Sequence, residues 1–184
     1  MTEMKVDKIG AAVRQVELAI RLLFRNEDPI GIHTLASAGF RILRDLGKAR
    51  NSDISQYLAT IIKPKMEGRF WKVFSGAANF FKHADSDPDA VLENIQEEVN
   101  DVLILFACFL YRDIDSRWTA QMLAFVAWYI LIHPEILDYL QDDPVLRQIV
   151  ETQEMQVIRD KPRVEQLYEG NILIEIATLA MKSI

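Results

Sequence analysis

Apolar residues recur at spacings of three and four along almost the whole chain. That period constrains the fold more than any other feature. From Val6 to Phe24, the residues Ile9, Val13, Val16, Ile20 and Leu23 fall on one face of a helix. From Pro29 to about Leu46, Ile32, Leu35, Ala36, Gly39, Ile42 and Leu43 do the same. Residues able to break such a pattern are sparse, with 7 Gly and 6 Pro in 184 residues. No segment alternates with the two-residue period of a strand. The pattern therefore predicts an all-α fold, a single bundle of about seven to nine helices.

Local signals divide the pattern. Asp28 before Pro29 reads as an N-cap followed by a proline at the first helical position. Gly47 reads as the C-terminal stop of that second helix. A short helix is expected from about Ser52 to Ile62, ended by Pro64. The next runs from about Lys65 to Ala84. "DSDPD" repeats the start signal, with Asp87 as N-cap and Pro88 at the first position, and predicts a helix to about Arg112. Another spans about Ser116 to His133, stopped by Pro134, and further helices fill 135–184. A mild boundary at Arg112–Arg117 separates a core of residues 1–112 from C-terminal helices, 113–184, packed on it.

Composition excludes some classes. Half the residues are apolar and 26% charged, enough to bury a core and too apolar for disorder. The longest apolar runs, Val102 to Tyr111 and Met122 to Ile132, fall short of the ~20 residues of a membrane span. They read as core helices, or, for the second, as a surface against another subunit. "MTEMKVDKIG" has no apolar signal region, and Cys108 has no second cysteine to pair with, so a cytoplasmic protein is expected. The net charge of −6 is unevenly spread. Arg41 to Lys72 holds eight Lys/Arg against three Asp/Glu, whereas Asp85 to Asp101 holds seven Asp/Glu and no Lys/Arg. A local basic surface for a polyanion is compatible with that total.

The basic groups are arranged. Winding Lys65 to Ala84 as a helix puts Phe70, Val73, Phe74, Ala77, Phe80 and Phe81 on one face. Arg69, Lys72, Gly76, Asn79 and His83 line the other, beside Lys82. The plain interpretation is a solvated polar face. The chemical one is a phosphate site, in which Arg69, Lys72 and Lys82 hold phosphate, Asn79 orients, and His83 moves a proton. His33, Ser37, Arg41 and Arg44 form a weaker second stripe, adding His33 and Arg41 as candidate phosphate ligands. No metal or cofactor is called for. "DSDPDAVLENIQ" fails as a calcium loop, with Ala90 at the glycine position and Gln96 at the bidentate Glu position.

Three pieces carry a resemblance: "VELAIRLLFRNEDPIGIHTLASAGFRIL", "DLGKAR" and "NFFKHADSDPD". Together they resemble a family of small bacterial helical proteins with AIRL-x-F, DP-x-x-IHTLA and NFFKHAD-x-DP motifs. The likeness covers roughly the first half of the chain and implies an all-α fold. More distantly the chain resembles the HEPN superfamily. There, two early helices precede one bearing Arg, a polar residue and a His. Asn79 and His83 match the polar residue and the His, while the Arg falls at residue 78, where this chain has Ala78. That resemblance implies RNA as ligand, metal-independent attack of a ribose 2′-hydroxyl on phosphate, and a site at a homodimer interface. Two other classes remain. One is a non-enzymatic interaction module, such as the partner in a defence or toxin–antitoxin pair. The other is a metal-dependent nucleotide pyrophosphohydrolase, since "QEEVNDVLILF" resembles a helix of those enzymes with Glu98 and Asp101 as magnesium ligands.

Overall fold

The computed structural model of the chain describes residues 4–56, 76–83, 85, 88–93, 96–134 and 158–182. The described residues are all-α, with no strand among them. The long helices are α1 (Lys8–Phe24), α2 (Pro29–Ala49), α3 (Glu98–Asp115), α4 (Ala120–Ile132) and α5 (Arg163–Ala180). Two shorter helical stretches lie at 53–56 and 76–80. None of the described helices is long and apolar enough to cross a membrane.

The chain forms two compact units, one of Met1–Ala19 with Asp28–Arg117, the other of Ile20–Glu27 with Trp118–Ile184. In the first unit α2 packs along α3. Ile32, Ala36, Phe40 and Leu43 bury one face of α2, and Leu103, Ile104, Ala107, Cys108 and Leu110 bury that of α3. The first part of α1 lies close to α2 at Gly39. A Cβ at residue 39 would stand 2.6 Å from Val16 Cγ2 and 3.1 Å from the Ala12 carbonyl oxygen, so only glycine admits this approach.

The helix ends show which signals act. Asp28 caps α2 as expected, its Oδ1 accepting from Ile30 N at 2.7 Å and Gly31 N at 3.4 Å. Gly47 is not a stop. It lies inside α2 and is buried, where a Cβ would meet Ser52 Oγ at 2.9 Å. The helix ends instead at Asn51, left-handed at φ 53°, with Ser52 N donating to Gly47 O at 2.9 Å. Asn26 ends α1 in the same way, at φ 53°.

The "DSDPD" start signal also fails. Residues 88–93 are not helical, and α3 begins at Glu98. Val91 is 81% exposed and no residue of 88–93 is fully buried; the buried face begins at Asn100. Tertiary burial, rather than the cap sequence, sets where this helix starts.

In the second unit, α4 is buried from Met122 to Leu131. A helix apolar on every side belongs in a core. The chain's own residues cover it, so α4 needs no second subunit. Thr119 caps it, accepting from Met122 N at 3.3 Å. Trp128 donates Nε1–H to the Gln166 carbonyl of α5 at 2.7 Å. Phe24 lies 5.3 Å from Trp128 and 6.2 Å from Phe125, ring centre to ring centre. Asn171 donates to the Phe24 carbonyl at 2.7 Å, tying α5 to the end of α1.

Candidate functional site

The segment 76–83 ends a helix. Phe81 N donates to Ala77 O at 3.0 Å, and Lys82 N and His83 N both donate to Asn79 O at 3.1 Å. The turn divides its side chains by burial. Ala78 is 1% exposed, Phe80 and Phe81 are half-buried, and Asn79, Lys82 and His83 are exposed. Three of the predicted site residues therefore share one accessible edge. His83 Nδ1 stands 3.9 Å from Asp85 Oδ1, with both side chains largely exposed, a separation beyond hydrogen-bonding range that contributes little to stability. Arg69 and Lys72 lie outside the described residues.

The second stripe does not stay together. Arg41 is half-buried, and Arg44 pairs with Asp45 at 2.9 Å near the surface. His33 and Ser37 are 2% and 3% exposed, inside the α2–α3 interface. His33, expected among the phosphate ligands, is thus enclosed by protein instead of facing a basic cleft with His83. Its Nδ1 lies 2.8 Å from Asn100 Oδ1. Asn100 Nδ2 donates to the Pro29 carbonyl at 3.1 Å. Because that amide nitrogen is the donor to Pro29, Oδ1 is the acceptor, and His33 carries its proton on Nδ1. The His33 ring meets Phe81 edge to face, centroids 5.7 Å apart and planes at 80°. A buried chain of contacts therefore runs from α3 through His33 to the segment that carries Asn79 and His83.

Asn100 is a polar residue that periodicity alone places in the core: Asn100, Leu103, Ile104 and Ala107 occupy one buried face of α3. His33 belongs likewise to the buried row of α2 with Ala36, Phe40 and Leu43. Polar residues on an apolar stripe are those to inspect for buried hydrogen bonds.

Of the two carboxylates that resemble magnesium ligands, Glu98 is exposed and Asp101 is 4% exposed. Among the described residues, no three His, Cys, Asp or Glu side chains cluster closely enough to hold a metal ion. Cys108 is enclosed, and its thiol is raised well above its ordinary pKa, chiefly by burial and then by Glu17. It is a core residue rather than a nucleophile. An open depression of about 540 Å³ at the start of α1 is lined by Lys5, Val6, Asp7, Gly10 and Arg14, none of them a predicted site residue.

No family model, no curated protein and no solved structure matches this chain.

Proposed function

We propose that the chain is a HEPN-like helical protein that binds RNA, or another phosphate-bearing ligand, along the edge formed by Asn79, Lys82 and His83. The observation that carries the reading is the division of the 76–83 turn, with the polar and basic groups outward and Ala78 and Phe81 directed at protein. An amide, an ammonium and an imidazole on one accessible edge are suitable phosphate donors. Arg69 and Lys72, which the helical period assigns to the same stripe, would extend it. Cleavage is not included. The HEPN arginine position is Ala78, 1% exposed, so a guanidinium is absent and the position faces the interior.

Fluorescence anisotropy with labelled single-stranded RNA, at about 50 and about 200 mM salt, tests the reading. The expected result is salt-sensitive binding, with Lys82→Ala lowering the slope of log K against log salt by roughly one. Binding that is absent at low salt, or unaffected by Lys82→Ala and Asn79→Ala, overturns it.

A different observation favours a second reading, in which α5 pairs with a second copy of the chain. Val164, Tyr168, Ile172, Ile176 and Leu179 form an outward apolar row on α5, opposite its buried face. The row is nearly symmetric about Ile172, as antiparallel pairing of two copies requires. Sedimentation equilibrium decides this. A dimer lost in Tyr168→Glu supports it, and a monomer at every concentration refutes it.

A further inference from the structure

His33 and Asn100 are a bonded pair of buried polar residues that the proposed ligand edge does not use. Each is 2% exposed. Burial of a polar group is tolerated when it is hydrogen-bonded, and their bond at 2.8 Å serves His33 Nδ1 and Asn100 Oδ1. A leucine pair would fill the same space without the need for matched donors. What the polar pair adds is direction. Asn100 is held by the Pro29 carbonyl at the start of α2. Its Oδ1 then fixes the rotation of the His33 ring, because Nδ1–H has to point at it. A fixed ring presents a fixed face and edge to Phe81, 5.7 Å away at 80°.

Phe81 sits between the residues proposed to contact the ligand. Its own N–H closes on Ala77, and the two residues after it, Lys82 and His83, both hang from the Asn79 carbonyl.

We propose that His33 is a positioning residue. Oriented by Asn100, it holds Phe81 and thereby sets the geometry of Asn79, Lys82 and His83. Its bearing on ligand binding rests on the reading above, whereas the coupling to the turn is independent of it. His33 never touches the ligand; it acts through Phe81 from inside the α2–α3 interface.

Two substitutions separate the halves of the device. His33→Asn keeps a donor close to the Nδ1 position and removes the ring. His33→Phe keeps the ring and removes the donor. Phe81→Leu breaks the same contact from the other side, leaving the buried polar pair intact. The readout is NMR of ring-labelled histidine, for which the chain offers three residues, His33, His83 and His133. Amide exchange across 79–83 is followed in parallel.

His33→Asn and Phe81→Leu are expected to move the His83 ring signals and leave His133 in place. Amide exchange at 79–83 should rise on the order of tenfold, without a matching rise in α1. In His33→Phe the His83 signals should move less than in His33→Asn. Unmoved His83 signals in both His33→Asn and Phe81→Leu overturn the proposal. So does an equal rise in exchange throughout the first unit, which marks a purely structural residue. RNA anisotropy on the same variants is a separate arm. Shifted His83 signals with no RNA binding by the wild type would leave the coupling standing and refute the ligand.

Discussion

Gly170 lies in α5 against Phe24, and replacing it by alanine sets two effects of opposite sign against each other. In an open helix the change stabilises, by about 0.8–1 kcal/mol in the interior. Here a Cβ would stand 2.3 Å from both Phe24 Cδ1 and Cε1 and 2.6 Å from Cζ. Carbon atoms need about 3.5–4.0 Å, so one side has to retreat by roughly 1.2–1.7 Å. Phe24 is 2% exposed and stands against Phe125 and Trp128, so its ring has nowhere to swing. If α5 retreats instead, the 2.7 Å bond from Asn171 to the Phe24 carbonyl stretches beyond hydrogen-bonding range. Overpacking costs about 1–3 kcal/mol and the lost bond about 1 kcal/mol. After the propensity gain, Gly170→Ala is expected to destabilise by about 1–3 kcal/mol, lowering the urea midpoint on the order of 1 M. Gly31→Ala is the control. No atom lies within 4 Å of its Cβ position, and it should stabilise by about 0.5 kcal/mol. Urea unfolding followed by circular dichroism measures both. A Gly170→Ala midpoint at or above wild type would refute the packing argument.

Other outcomes follow from named contacts. Asp28→Ala removes the α2 cap bonds to Ile30 and Gly31 and should cost about 0.5–2 kcal/mol in the same assay, with Asp28→Asn largely restoring it. The Tyr111 hydroxyl donates to Asp115 at 2.9 Å, and burial first, then that bond, raise its pKa from 10.0 to about 12. A raised pKa means that the folded state favours the neutral phenol. Its contribution is therefore complete below about 10 and is lost as pH climbs towards about 12, so the stability gap between wild type and Tyr111→Phe should narrow over that window. Cys108 should resist iodoacetamide in the native protein and react on unfolding, since both burial and its raised pKa suppress the thiolate; rapid native labelling would contradict its place in the core.

Much of the fold was legible because helical burial is periodic. The stripes of α1 and α2, the Asp28–Pro29 start and the core character of the run at 122–132 all follow from spacing and one cap. Reading failed where a residue has two physical uses. Gly47 looked like a terminator but serves close packing, while Asn26 and Asn51 adopt the left-handed turns instead. "DSDPD" has the chemistry of a helix start, yet residues 88–93 bury no side chain fully, and α3 waits until Glu98. At the candidate site, the helical period put Asn79, Lys82 and His83 on a polar stripe, and all three are exposed. His33, expected in the second polar stripe, is enclosed instead.

Spacing along one chain was enough to mark the five long helices and the apolar face of each, because both depend on local period. Which polar residues on those faces are enclosed was settled by packing between helices. That choice depends on a partner 67 residues away, Asn100 for His33, which no local pattern contains. The same holds for Ala78. Its neighbours mark it as the edge of a stripe, and packing places it 1% exposed in the interior, where the chain has no arginine to offer a phosphate.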